Sequence, residues 1–417
     1  MTTPQFTFLF LAALALSTAL RLWLSLRHGH HVRVNSGTVP AEFSGRIELA
    51  DHQRAAKYTV AKVRLGLIDT LIDVALLLVF TLGGGIAAID TALSAILGSG
   101  GYLHDLLLIG SVGLAGFLVT LPLGLYLTFR LEAEFGFNKL TWRLWFVDLL
   151  KGAVLTLVIG APLLLFVLWL MQAMGPAWWF YVWLFWLGFN LLVLVLYPTV
   201  IAPLFNKFSP LDDAALKQRI EALLARCGFS SSGLFVMDGS KRSAHGNAYF
   251  TGFGRAKRIV FFDTLLDKLT PQEIEGVLAH ELGHYHHRHV LKRIALLAVV
   301  SFVLLWGLGH LIEQTWFYDG LKVGAGGTAK GLLMFSLVLP VFTFPLSPLL
   351  SALSRRDEYE ADAYAAKQTA AADLVSALVK LYRDNAATLT PDPLHSLFYD
   401  SHPPASQRIA HLRAISV

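Results

Sequence analysis

Long apolar runs separated by shorter polar stretches set the rhythm of this chain. The runs fall at about 6–26, 65–88, 102–129, 146–171, 178–205, 294–312 and 330–353. Each is near or above the roughly 20 residues that an α-helix needs to cross a bilayer, so the pattern predicts seven spans. The first run has no basic residue before it, whereas Arg21, Arg27 and Arg33 lie within or after it. A secretory signal has the opposite layout, which predicts a retained helix with its N-terminus outside. The polar stretch 27–64, with His28, His30 and His31, is expected to be a solvated loop. Pro340, Pro345 and Pro348 predict a last span that is kinked or partly broken. Only 206–293 reads as mixed α/β. There an amphipathic helix is expected from Ser209 to Cys227, with short strands at 233–237 and 258–262 and Asn247–Phe250 between them.

Composition sharpens this picture. Of 417 residues, 55% are apolar and 15% charged, against about 25% charged in a soluble protein. The fold class is therefore mainly α, a polytopic membrane protein carrying a small α/β unit. The net charge of +5 is modest, and the basic residues are read as setting topology, not as binding nucleic acid. Segments 27–64, 129–145, 206–293 and 354–417 are rich in Lys and Arg, while 89–101, 172–177 and 313–329 hold only Lys322. That alternation predicts that the 206–293 region and the C-terminus face the cytoplasm. Cys227 is the only cysteine, which excludes an intramolecular disulfide and a cysteine-based zinc site.

The candidate chemistry begins at Thr270. Thr270, Pro271 and Glu273 form a helix-start signature of the capping-box type. In the helix that follows, His280 and His284 stand four residues apart, hence on one face and about 6 Å apart along the axis. Two imidazoles so placed can grip one zinc ion, with Glu281 able to reach a water beside it. The helix is expected to run on into the sixth span. His287 shares the face but lies about 10 Å along the axis from His280, so His286, His287 and His289 are set aside as ligands. Further donors stand in Ser354–Asp362, where Glu358 and Asp362 repeat the four-residue spacing. One of these acids can bind zinc while the other orients a ligand imidazole. The residues alone leave open a solvated acidic helix paired with Arg355 and Arg356.

HELGH followed by Ser-Arg-x-x-Glu-Tyr-x-Ala-Asp resembles the type I CAAX prenyl endopeptidase family, integral-membrane zinc metallopeptidases that process farnesylated proteins. Glu134–Asn138, Tyr197–Lys207, Asp238–Phe250 and Ser401–Arg408 also look like family signatures, so the resemblance runs from about residue 40 to the end. Gly246 departs from it, because serine is expected there. The resemblance implies one zinc per chain held by His280, His284 and Glu358, with Glu281 as the catalytic carboxylate and Asp362 behind a ligand. It implies that Asn247 aligns the substrate backbone, that His402 donates to the scissile carbonyl oxygen, and that Arg408 holds a carboxylate. It also implies seven helices around an intramembrane chamber, with a membrane region over 1–205 and a metallopeptidase domain over 206–417. The expected partners are a peptide or protein substrate, lipidated or not, and membrane lipid. Three rivals remain: a quality-control metallopeptidase with non-prenylated substrates, a transporter or aspartyl protease built on Asp69 and Asp73, and an inactive scaffold. One helix carrying both Asp69 and Asp73 fits poorly with an aspartyl dyad, which needs facing elements.

Overall fold

The computed structural model describes residues 1–251 and 258–415. Helix α1 (Thr3–Val34) starts at a capping box made by Thr2 and Gln5. Helix α2 (Leu49–Phe80) stops at Thr81, and the chain turns through Gly84, whose φ of 75° suits glycine. Helix α3 (Gly85–Leu97) resumes at 51° to α2. Next come α4 (Tyr102–Tyr126), extended by π-helical turns to Glu132, then α5 (Trp142–Leu155) and α6 (Ala161–Ala173), which together make one span. Helix α7 (Trp178–Leu196) leads into the short α8 (Ala202–Phe205). Six helical segments among the described residues are long and apolar enough to cross a membrane, and the bent α2–α3 pair makes seven. Their outward faces carry bare apolar side chains such as Phe8, Leu157 and Val299, a surface suited to hydrocarbon rather than water.

The expected solvated loop at 27–64 is corrected by this geometry. His28, His30 and His31 belong to α1, and His28 is buried, stacked on His395 with ring centroids 4.0 Å apart. Arg27 holds buried Asp392 at 2.9 Å. Residues 27–34 thus continue α1 against partners from the far end of the chain, 49–64 belong to α2, and only 35–48 between them is non-α-helical.

The mixed unit contains β1 (Phe208–Pro210), α9 (Ala214–Arg226), β2 (Leu234–Met237), β3 (Ala248–Thr251), β4 (Arg258–Phe262), α10 (Asp263–Leu266) and α11 (Pro271–His286). The helix expected from Ser209 begins only at Ala214, capped by Asp213, because Phe208–Pro210 pairs with β2 instead. The sheet order is β1-β2-β4-β3, with β2 and β4 parallel and the outer pairs antiparallel, so β3 is an edge. After α11 come α12 (His289–Leu311), α13 (Thr315–Asp319), α14 (Thr328–Thr343), α15 (Ser347–Gln368), α16 (Ala371–Asp384), α17 (Pro393–Tyr399) and α18 (Ala405–Ile415). The break expected from the last span's prolines is the short 3-10 turn Phe344–Leu346 between α14 and α15. Ile220, Phe261, Ile274, Leu278, Leu378 and Ile409 close one core between the sheet and α9, α11, α16 and α18. Each buried side chain of this size contributes about 1.5–3 kcal/mol.

Helix α11 starts as its sequence predicts. Thr270 Oγ1 accepts from the Glu273 N–H, and Glu273 accepts from the Thr270 N–H at 2.8 Å. The same carboxylate takes Lys380 Nζ at 2.7 Å and Ser376 Oγ at 2.7 Å, tying α11 to α16. Burial alone would raise the pKa of Glu273, but the bonds from Lys380, Ser376 and the Thr270 N–H outweigh it and hold the carboxyl below its ordinary 4.5. The unfolded chain therefore takes up this proton first as pH falls. The stabilisation is complete above the unfolded value and is lost as pH drops through the folded one. Glu273→Gln is expected to melt below wild type by a gap that is constant well above the ordinary carboxylate value of 4.5 and closes as pH falls below it, as thermal unfolding across that range would read.

The expectation that α11 continues into the sixth span is also corrected. Arg288 adopts φ 57°, a left-handed conformation, and the chain restarts as α12 at His289.

Candidate active site

Two main chains in contact set the position of the site. A Cβ added at Gly283 would stand 2.8 Å from Ala361 Cα, so α11 and α15 touch backbone to backbone there. His280 and His284 flank that glycine on α11, and Glu358 and Asp362 flank Ala361 on α15. The close approach brings these side chains together. His280 Nε2 lies 3.4 Å from Glu358 Oε2, and His284 Nε2 lies 3.4 Å from Glu358 Oε1. One donor atom from each of the three residues falls within 4.8 Å of the others. Glu281 is half-buried on α11 between the two histidines.

The chemistry of this trio fits a divalent metal ion. Glu358 is 2% exposed, and its buried Oε2 has only long contacts, His280 Nε2 at 3.4 Å and Arg408 Nη1 at 3.7 Å, with no close hydrogen bond. A carboxylate oxygen left so is costly unless a cation faces it. Two imidazoles and one carboxylate also leave a coordination position open, as a catalytic site requires.

Behind the trio, His280 Nδ1 lies 2.9 Å from Asp362 Oδ1. Asp362 is fully buried and receives Arg408 Nε at 2.8 Å and Arg408 Nη2 at 2.6 Å, a two-pronged grip. Burial and the charge of Arg408 disfavour a protonated His280, but hydrogen bonds to Asp362 and Glu358 prevail and lift its pKa to about 9. With Nδ1–H fixed on Asp362, the proton on Nε2 is the one a bound ion would displace, and the Nε2 lone pair would then face the trio.

His289 is the residue that sequence reasoning passed over. Set aside as a ligand from the sequence, it is almost wholly buried, with Nδ1 2.9 Å from His284 Nδ1 and Nε2 3.1 Å from Glu360 Oε2. If His284 presents Nε2 to a metal, its Nδ1–H donates to His289 Nδ1, and His289 Nε2–H donates to Glu360. The proton inventory then closes with both rings neutral. His289, Asp357 and Glu360 also cluster closely enough to hold a cation. Lys292, Arg293 and Arg356 already stand on those acids at 3.8, 3.7 and 3.1 Å, so the group is read as a hydrogen-bonded brace. The only signal in the sequence was an extra histidine after HELGH, and its use depends on the turn at Arg288. His289→Ala is expected to weaken metal binding by about 10- to 100-fold, measured by competition with a chromogenic chelator.

His402 Nε2 lies 3.3 Å from Glu358 Oε1, with 61% of its side chain exposed, so it stands at the open side of the trio. Asn247 immediately precedes β3, is exposed, and turns its Oδ1 to the Ala248 N–H at 2.8 Å. The remaining signatures converge on the loop before β3. Asn138 bridges to Ser243, and Phe137 stacks on His245 at 4.3 Å. Asn206 Oδ1 accepts Arg242 Nη1 at 2.8 Å, and Asp148 takes the same guanidinium at 2.9 and 3.0 Å. Stretches far apart in sequence therefore hold one loop. At Gly246 a Cβ would meet Leu265 at 3.4 Å, ordinary contact, so the departure from serine leaves the backbone path intact. Asp73 lines an apolar cavity between α1, α2, α4 and α14 together with Arg21; no acid on a facing helix lines that cavity with it.

The chain matches two family models, "CAAX prenyl protease N-terminal, five membrane helices" over residues 29–207 and "Peptidase family M48" over 210–416. The CAAX prenyl protease 1 of Saccharomyces cerevisiae is 36% identical over 329 residues, covering 75% of this chain and 73% of the relative. The Caenorhabditis elegans CAAX prenyl protease 1 homolog is 32% identical and covers 97% and 98% of the two chains. The crystal structure of S. mikatae Ste24p superposes with a TM-score of 0.90 at 30% identity, over 97% of this chain and 98% of that one.

Proposed function

The chain belongs to the CAAX prenyl protease branch of peptidase family M48, and from that premise we propose that it is a zinc endopeptidase that cleaves prenylated proteins near their C-termini. It is a multi-pass membrane metalloendopeptidase. The observation that carries the residue assignment is the buried Glu358 carboxylate, whose Oε2 faces His280 Nε2 and whose Oε1 faces His284 Nε2, each at 3.4 Å. His280, His284 and Glu358 would hold the ion, and two nitrogens with one carboxylate favour zinc over calcium or magnesium, which prefer all-oxygen cages. When bound, the ion supplies Lewis acidity to a water and to the scissile carbonyl.

The chain's own residues do the rest. Glu281 takes the proton of the attacking water and returns it to the leaving amine. His402 donates a hydrogen bond to the scissile carbonyl oxygen as charge develops on it. Asp362, gripped by Arg408, fixes the tautomer of His280. Asn247 and the free edge of β3 align the substrate main chain. The charge alternation of the loops favours a cytoplasmic face for the site, and the turn after Phe205 favours a boundary between membrane region and metallopeptidase domain near 205/206. Relatives named as prenyl proteases favour a lipidated substrate over the quality-control alternative.

The test uses purified protein, a farnesylated CAAX peptide and its unmodified counterpart. About one zinc per chain, cleavage abolished by a chelator and restored by zinc, and a faster farnesylated substrate are expected. Equal rates on both peptides would remove the prenyl specificity, and full activity in metal-free protein would end the zinc mechanism.

A further inference from the structure

A cavity of about 540 Å³ that the mechanism does not use lies between α1, α2 and the C-terminal segment. Its walls join Arg21 of α1 and Tyr58 and Lys62 of α2 to Glu132, His245 and Asn385. Tyr399 also lines it, three residues before His402 at the trio. At its other side, His245 stands two residues before Asn247 and the edge strand β3. Along the chain, the cavity lining thus comes within three residues of His402 and within two of Asn247 at the start of β3.

Its charge is unbalanced. Lys62 sits over the Tyr58 ring at 5.1 Å and Arg21 over the Phe344 ring at 3.9 Å. Among the described residues, neither has a carboxylate within ion-pair distance. Glu132 is the only acid among the lining residues, and it is already engaged by the Tyr58 hydroxyl and, at 3.7 Å, by His245. Burial lowers the pKa of His395 in the same wall to about 4, so at neutral pH the two cations define the field. Asp73 shares Arg21 with the adjoining apolar cavity and is not part of this one. An anion is what this space lacks.

Strand polarity says which anion. A peptide added antiparallel to β3 points its C-terminal end toward the N-terminal end of the strand, at Gly246 and His245. Each residue beyond the cut advances about 3.3 Å, so a carboxylate a few residues past the scissile bond arrives in the cationic cavity. We propose that this cavity, through Arg21 and Lys62, binds the free C-terminal carboxylate of the substrate and thereby sets the distance of the cut from the chain end. The inference rests on the substrate class argued above.

The test compares a farnesylated CAAX peptide bearing a free C-terminal carboxylate with the same peptide as its C-terminal amide. Wild type is expected to favour the acid by about tenfold or more in kcat/KM, mainly through KM. Lys62→Gln and Arg21→Gln should each lower that acid-to-amide ratio, the double variant should bring it near one, and Lys62→Arg should keep it. Melting temperature and bound metal report folding separately. A wild-type ratio near one, or a ratio retained in the double variant, overturns the proposal. A wild type that cleaves neither peptide overturns the substrate reading and this inference with it.

Discussion

Glu281→Gln is expected to bind about one metal ion per chain, as wild type does, and to lose about 10²- to 10⁴-fold in kcat. The two results belong together because Glu281 lies between the candidate ligands on α11 without being one of them. Glutamine keeps the shape of the side chain and its hydrogen-bonding reach but cannot accept the water's proton. Single-turnover cleavage of a quenched peptide gives the rate, and elemental analysis gives the metal. A variant that lost its metal would make Glu281 part of the cage. A variant with unchanged turnover would remove it from the proton path.

The second large effect is expected at Arg408. Its guanidinium is the two-pronged partner of Asp362, which is fully buried, and Arg408 itself is 7% exposed. Arg408→Met leaves the Asp362 charge in the interior without its main counterion, a situation that costs about 3–5 kcal/mol. It also frees Asp362 from the orientation in which it holds His280 Nδ1. A marked fall in melting temperature in detergent, together with weaker metal binding, is the expected outcome. The double variant Arg408→Met/Asp362→Leu separates the two roles. Removing both charges should recover most of the stability while leaving metal affinity low, because nothing then fixes the His280 ring. Recovery of both would reduce Asp362 to a packing residue.

What the chain disclosed in advance depended on how local each feature is. The capping box at Thr270 and Glu273 was legible because its partners lie three residues apart. The face shared by His280 and His284, and by Glu358 and Asp362, follows from helix geometry alone. The seven apolar runs were equally plain, although the second run is a bent pair, α2 and α3, turning at glycines. The misses were long-range or conformational. His28 looked solvated because its neighbours in sequence are polar, whereas its ring packs on His395 and its backbone stays helical beside Asp392. The brace formed by His289 could not be foreseen, since it requires a non-glycine residue, Arg288, to take up a left-handed conformation just where a continuous helix was expected. The strand at Phe208–Pro210 replaced the first turns of an expected helix because β2 offered a pairing partner. Local propensity does not report that.

The contact between Gly283 and Ala361 has a bearing on how such a chain can evolve. Helices separated by interlocking side chains shift apart or together whenever a neighbour changes size. Here the spacer is the peptide backbone itself, whose dimensions no substitution alters. Mutational drift in the surrounding core can therefore spend stability freely while the gap between the histidine pair and Glu358 stays the same. Position 283 takes the whole burden in exchange: any side chain there, even a methyl group, must wedge the two ligand-bearing helices apart.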